Sequence, residues 1–433
     1  MSNTGVAAAG LQASSGVSRS GAAVFVSCLL CLAVCGCASW QAPTTIDDSS
    51  LRERAVTSTS REVQVSAAVF SAGDNQRYFS ANLNDSGIQT IWVEIVNNSS
   101  QVLWLLRAGT DPDYFAPLEV AWPFHKKLAR DRNNKVDAYF DSLTIASIIP
   151  AGETRSGILY TNPHRGIRVL NIDLLGQQSI IPFTLFPPVP GEVTGERVDE
   201  LEQLIAASQA NDYQDEAAFR KALEDLPCCA TDAGSSADSG PLNMIFVGGL
   251  SDIGAALVRR DYRQLPQPLD KTQRVFGRSP DIVLRKAGQG GSAANWLRLW
   301  VAPLRYQGQL VVLVQAGRPV GGRFRAAADN KPLLHPDVDE IRSLVLQDLL
   351  YSGGLEKFGF VEGANTVTEA QLFNHPGEFS YYTDGLREVL FFITRPLGLA
   401  DVEFLDWVPL LERRAAEAAA QNTNNKTDAE DRH

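Results

Sequence analysis

The apolar residues of this chain repeat with one period up to Pro190 and with another from Pro241 onward, and that change limits the folds open to it. In "IWVEI", Ile91, Val93 and Ile95 fall on one face and Trp92 and Glu94 on the other, the two-residue period of a strand with one buried side. "VQVSAAVF" alternates likewise, "GIRVLNIDLLG" and "IPFTLF" read as later strands, and "IPAGETRSG" supplies turn residues between them. Short strands punctuated by Gly, Pro and Asn over residues 61–190 predict a β-sandwich of immunoglobulin-like type. "PFHKKLARDRNNKVDAYFDSLTI" breaks the pattern and reads as a helical or loop insertion.

A helical connector is expected over 191–226, with Val198, Leu201, Leu204 and Ile205 on the face of one helix and Phe219, Leu223 and Leu226 on that of a second. "PCCATDAGSSADSG", residues 227–240, has the composition of a linker. From Pro241 the pattern is mixed α/β. "LNMIFVGG" reads as a strand and "SDIGAALVRRDY" as a helix capped by Ser251, with strands at "DIVLRK", "NWLRLWVAPL" and "GQLVVLVQAG". "HPDVDEIRSLVLQDLLYSGG" reads as a helix opened by Pro336 and stopped by Gly353-Gly354. "EFSYYTDGLREVLFFIT" reads as a hairpin turning at Asp384-Gly385. Residues 395–412 are expected as a C-terminal helical extension and 413–433 as a disordered tail. The expected class is therefore α+β multidomain: an immunoglobulin-like β-sandwich, then helices, then a mixed α/β domain.

The N-terminus carries four of the six cysteines, Cys28, Cys31, Cys35 and Cys37. A metal site there would lack the polar groups that orient thiolate ligands. The apolar run Gly21–Val34 is shorter than the ~20 residues of a spanning helix and fits the core of a secretory signal. Its end, Val34-Cys35-Gly36-Cys37, resembles the bacterial lipobox. That resemblance implies a signal over 1–36, removed, with Cys37 lipidated; Cys35 fits less well, because Val34 would stand where Gly or Ala is wanted. Several acyl chains on one residue anchor a protein durably. Residues 37–60, rich in Ser, Thr and Asp, are then a flexible tether. Ala38-Ser39 after the cysteine implies the outer rather than the inner membrane, with the body facing the periplasm.

Lys plus Arg number 39 against 50 Asp plus Glu, a formal charge of -11, which disfavours nucleic acid as a partner. The five histidines, at 125, 164, 335, 375 and 433, show no zinc-site spacing, and no cofactor is expected. His125, His164 and His375 stand in loop-like sequence and read as surface residues. Gly248, Gly249 and Gly254 in "VGGLSDIG" match no phosphate-binding pattern and read as a tight turn.

Two constellations carry candidate chemistry. In "NWLRLW", Trp296, Arg298 and Trp300 share a strand face, where an Arg between two indoles can hold an anion or a sugar-like ligand; the alternative is an Arg paired with Asp281 that braces the sheet. In "HPDVDEIR", His335, Asp337 and Asp339 are candidate ligands for a divalent cation. The same acids are stabilised in the first turn of a helix by ~0.3–1 kcal/mol each, and that reading is the heavier. Cys228 and Cys229 either bridge each other, pair between chains, or remain linker thiols.

In order, "PLNMIFVGG…AALVRRDY", "GRSPDIVLRK", "NWLRLWVAPL", "HPDVDEIRSLVLQDLLYSGGL" and "YYTDGLREVLFF" resemble the LssY C-terminal domain family over Pro241–Thr394. "VVLVQAGRPVGGRF" departs from the pattern in lacking a Trp-plus-Gly strand end. The family domain is often joined to DedA-like or phosphatidic-acid-phosphatase-like membrane proteins, and some members are free-standing lipoproteins. The resemblance implies work at envelope lipid or surface polymer and brings no established chemistry. The expectation is an interaction module for a membrane-protein partner or for envelope lipid or polysaccharide. The alternatives are a hydrolase or transferase with Arg298, His335, Asp337 and Asp339 in one pocket, and a regulatory subunit of a membrane phosphatase.

Overall fold

The computed structural model describes residues 42–43, 46–111, 114–164, 168–177, 179–191, 210–232, 238–264, 272–286, 295–320, 333–334, 336–374, 381–394 and 396–416. The expected signal, Cys37 and the first connector helix lie outside these, as do His335 and His375. No helix among the described residues is long and apolar enough to cross a membrane. The chain is a mixed α/β protein with its strands in several sheets.

The N-terminal half comprises α1 (Ser49–Glu53), β1 (Val56–Ser60), β2 (Val63–Val69), α2 (Ala72–Phe79), β3 (Gln89–Asn97), β4 (Leu103–Leu105), α3 (Pro117–Ala121), α4 (Arg130–Leu143), β5 (Ile148–Ile149), β6 (Thr154–Thr161), β7 (Leu170–Leu175) and β8 (Ile180–Leu185). Two antiparallel sheets form, β1-β2-β3-β6 and β5-β4-β7-β8. Alternation turns Val63, Val65, Ile91, Val93 and Ile95 of the first toward Leu103, Leu105, Ile172, Leu174 and Phe183 of the second, and this shared apolar layer is the core.

The outer faces of the sheets differ. Ala68, Trp92, Ile158 and Tyr160 of the first are roofed by Leu51, Phe79, Val120, Val136 and Phe140 from the helices, so the expected insertion is α3 and α4 folded onto a sheet. Across the second runs an open row of registered neighbours, Ile148, Trp104, Leu175 and Ile180, of which Ile148 and Trp104 are 52% and 51% exposed.

The C-terminal half comprises β9 (Asn211–Tyr213), α5 (Glu216–Glu224), β10 (Cys229–Asp232), β11 (Asp238–Pro241), β12 (Met244–Gly248), α6 (Leu250–Arg259), β13 (Tyr262–Arg263), β14 (Gln273–Arg274), β15 (Ile282–Lys286), β16 (Trp296–Tyr306), β17 (Gln309–Gly317), β18 (Pro319–Val320), β19 (Leu333–Leu334), α7 (Val338–Leu350), β20 (Leu355–Glu362), β21 (Leu386–Phe392) and β22 (Glu403–Phe404). The main sheet has the order β13-β15-β16-β17-β12-β21-β20-β22, with β9 parallel to the far end of β16. β12 and β21 are parallel at its centre. Ile253, Leu257, Ile341, Val345 and Leu349 of α6 and α7 cover one face, and Phe219 and Leu223 of α5 cover the other. A sheet buried on both sides explains the unbroken apolar run at Met244–Val247.

Several boundaries differ from the expected ones. The tether is folded from α1 onward: Leu51 is buried, and the polar strand "VTSTS" pairs with β2 through its backbone, which needs no apolar pattern. The linker 227–240 contributes β10 and β11, and β10 also pairs β14. The hairpin at Asp384 is absent: β21 lies between β20 and β12, and Tyr382 and Thr383 bridge to Asp337 and Val367. Gly249 rather than Ser251 caps α6, and Asp337 rather than Pro336 begins α7. The C-terminal extension holds a 3-10 turn (Leu399–Asp401), β22 and a helical stretch at 410–416, which reaches into the expected tail.

The halves meet at the end of the second sheet remote from its open row. Arg259 of α6 donates to Asn171 at 3.1 Å, and a Cβ on Gly254 would touch Phe186.

Gly157, in the middle of β6, lies against the chain at Ile145, whose backbone nitrogen would be 2.5 Å from an added Cβ. Backbone cannot swing aside, so Gly157→Ala is expected to destabilise the N-terminal half by about 1–3 kcal/mol. Urea unfolding followed by tryptophan fluorescence measures the loss.

Candidate functional site

Arg298 stands on β16 opposite Val283 of β15 and Gln315 of β17. It is buried, donates from Nη1 to Gln315 Oε1 at 3.0 Å, and lies 4.4 Å over the Trp296 ring. The Trp296 ring in turn covers Gly317, where a Cβ would come within 2.1 Å of it. Trp300 is committed elsewhere, buried beside Phe219 and Leu223 with its Nε1 donating to Arg278 O at 3.2 Å. Arg278 and the Val301 amide occupy Asp281. The strand thus brings Arg298 and Trp296 together, and Trp300 serves the core.

The acids of "HPDVDEIR" act at the start of α7. Asp337 caps the helix, its Oδ1 accepting from the amides of Asp339 and Glu340, each at 3.0 Å. Asp339 accepts from Thr383 Oγ1 and the Asp384 amide, both at 2.7 Å. Below them lies Arg342, almost wholly buried, which forks onto Asp384 with two bonds of 3.0 Å, donates to Leu386 O at 2.7 Å and approaches Asp339 at 3.4 Å. Arg414 from the stretch 410–416 closes over Asp384 at 2.8 Å.

These contacts set the charges. Burial alone would raise the Asp384 pKa, but the Arg342 bonds outweigh it and hold the carboxyl below its usual value. Burial raises Asp339 despite Arg342. Burial would lower Arg342, and Asp384 and Asp339 outweigh it. Among the described residues no three His, Cys, Asp or Glu side chains are grouped to hold a metal. Arg298 and the α7 acids also lie on different sides: Trp300, two residues along β16, packs with α5, whereas α7 covers the opposite face.

Glu388 was not among the sequence candidates. It is fully buried on β21, and neither carboxyl oxygen has a hydrogen-bond partner among the described residues. Burial pushes its pKa up to about 8, with Arg342 opposing and Asp384 adding to the rise. Its neighbour Arg387 points to the α5 side and donates to the carbonyls of Leu242 (3.1 Å), Leu223 (2.8 Å), Leu226 (3.0 Å), Gly363 (2.7 Å) and Pro227. A cation over the last carbonyls of a helix complements its dipole. One sequence signal marks both residues: "RE" opening an otherwise apolar strand, "REVLFF".

Cys228 and Cys229, next to Pro227, are bonded to each other. The two described loop histidines are not free surface residues. His125 is bonded to Asp137 at 2.6 Å. His164 lies near Arg168 and Arg263, and burial together with those cations lowers its pKa to about 4.

What this end of the sheet does chemically is to hold one buried cation between two acids while a third carboxyl stays neutral beside it. Asp384→Ala strands Arg342 without its bidentate partner and is expected to cost about 3–5 kcal/mol, read from denaturant unfolding. Between the unfolded value of 4.5 and about 8, the native chain holds a proton on Glu388 that the unfolded chain has lost. Stability therefore falls by about 1.4 kcal/mol per pH unit from this group as pH rises through that window. Glu388→Gln is expected to flatten that slope when stability is measured across it.

No family model matches the chain, and no curated protein matches it.

Proposed function

We propose that this chain is a lipid-anchored protein of the bacterial envelope, held on Cys37 and facing the periplasm, more consistent with the outer than the inner membrane. Its folded body works as an interaction module for a membrane-protein partner or for envelope lipid or polysaccharide. The observation that carries the reading is the open apolar row Ile148, Trp104, Leu175 and Ile180, which crosses all the strands of one sheet. Contiguous apolar surface of this kind marks interaction sites. The chemistry-bearing groups of the C-terminal half support the same side of the question: Asp337, Asp339, Asp384 and Arg342 are engaged with one another or with backbone.

Within this reading the N-terminal half is an immunoglobulin-like domain. Its support is the order β2-β3-β6 against β5-β4-β7-β8, with the chain crossing between sheets after β3, after β5 and after β6. Residues 241–394 of the C-terminal half are an LssY-like domain, and the support is that its quoted motifs coincide with β12, β15, β16, α7 and β21.

The test is metabolic labelling of the full chain with a radioactive fatty acid in a bacterial host. Label is expected in the membrane fraction, with none on Cys37→Ser. An unlabelled chain in the soluble periplasmic fraction would overturn the reading.

A further inference from the structure

The stretch from α3 into α4 carries a surface unlike the rest of the chain. Lys126, Lys127, Arg130, Arg132 and Lys135 occur with a single acid among them, Asp131, in a protein of formal charge -11. Lys126, Lys127, Arg130 and Lys135 are exposed. Beside them stand two unburied apolar side chains, Trp122 at 66% and Leu128 at 107% exposure. Leu128 has a φ of 62°, a left-handed conformation that branched residues seldom adopt.

The turn is built rather than loose. The Lys126 amide donates to Asn133 Oδ1 and Asn133 Nδ2 returns a bond to Lys126 O, both at 3.0 Å. The Trp122 ring lies 4.8 Å from that of His125, which Asp137 holds. A preformed surface loses little freedom on binding.

A second observation concerns its position. Phe124, Val120 and Ala121 at the base of the turn pack in the same apolar cluster as Leu51 of α1. The chain arriving from Cys37 thus enters the fold on the face that carries the cations. Ser49 lies twelve positions along the chain from Cys37, a reach of at most about 43 Å.

We propose that residues 118–135 are a membrane-contact element that docks on anionic lipid headgroups. Trp122 and Leu128 enter the interfacial zone, while Lys126 and Lys127 pair with headgroup phosphates. Aromatic and aliphatic tips beside lysines suit the boundary between headgroup and acyl chain, and an acidic surface elsewhere is repelled from the same membrane and turns this face toward it. An acidic polymer would use the cations and leave Trp122 and Leu128 in water. This inference rests on the envelope reading for the nearness of a membrane, though not for the chemistry of contact.

The test uses the full chain carrying Cys37→Ser, so that no lipid anchor contributes. Its binding to mixed phosphatidylglycerol–phosphatidylcholine vesicles is compared with binding to pure phosphatidylcholine. The apolar run at 21–34 is common to every variant, so differences report the turn. Binding is expected to the anionic vesicles, to weaken with salt, and to fall about thirtyfold in Lys126→Ala plus Lys127→Ala, at roughly 1 kcal/mol per lysine. Brominated acyl chains are expected to quench tryptophan fluorescence less in Trp122→Phe. Unchanged circular-dichroism melting shows that these exposed substitutions leave the fold intact.

Equal binding to both vesicle types, or a double-lysine variant that binds as well as its parent, would overturn the proposal. So would capture by a soluble acidic polysaccharide with the same affinity after Trp122→Ala plus Leu128→Ala. If fatty-acid labelling fails while vesicle binding stands, the anchor is wrong and the contact element survives. Intact labelling with no vesicle preference reverses that outcome.

Discussion

Arg342 is a cation taken almost wholly out of water, and the architecture of the C-terminal half follows from how it is held. A buried guanidinium is tolerated where opposite charge and hydrogen bonds offset its lost water; here both Nη groups are engaged and Nε has no partner among the described residues. Asp384 supplies the fork, Leu386 a carbonyl, and Asp339 a further carboxylate on the same helix. Because Asp339 also accepts the Asp384 amide, the start of α7 and the segment leading into β21 are tied through one set of charges. Asp337, capping the same helix, bridges by its backbone to Tyr382. The left-handed Gly385, with φ of 84°, lets the chain leave this knot and run straight into the centre of the sheet. Arg414 then draws the C-terminal stretch over the outside.

Glu388 and Arg387 show why strand alternation matters at this place. Neighbours on one strand face opposite sides, so the carboxyl enters the layer under α7 and the guanidinium the layer under α5. Burial acts on them in opposite directions, lifting the acid toward neutrality and lowering the base to about 10. Arg387 stays charged because backbone carbonyls surround it, while Glu388 has no such cradle and keeps its proton. The vicinal Cys228–Cys229 bond lies just beyond two of those carbonyls and constrains the dipeptide that follows them.

Much of the scaffold was legible because one-sided burial leaves a period in the sequence. Ile91, Val93 and Ile95 announce β3, and the apolar run at Met244–Val247 announces a strand covered on both faces. Where a strand is short or mostly polar the pattern is silent, as in "VTSTS" and in the four-residue strands β10 and β11. The role of Asp337 as a cap could be read from its position before an apolar helix. The partner of Arg342 could not: Asp384 is 42 residues away, and only the assembled sheet brings them together. Trp296, Arg298 and Trp300 were rightly placed on one strand, but neither the closure of Trp296 over Gly317 nor the commitment of Trp300 to the core has a local signature.

In the C-terminal half Arg342, Asp384 and Asp339 face inward and engage one another, while Arg387 is held by backbone carbonyls and Glu388 has no hydrogen-bond partner among the described residues. The N-terminal half exposes what a core would normally keep: Trp104 and Ile148 on one sheet, Trp122 and Leu128 on the insertion roofing the other. The second domain packs at Asn171 and Phe186 and leaves the row at Trp104 uncovered. Exposed tryptophan and isoleucine invite non-specific association unless something covers them, and under the proposed function partners would cover them. On the proposed reading, an anchor entering beside Leu51 turns the cationic face to the membrane. The sheet carrying Trp104, on the far side of the sandwich core, then looks away from the lipid, where a second partner can reach it.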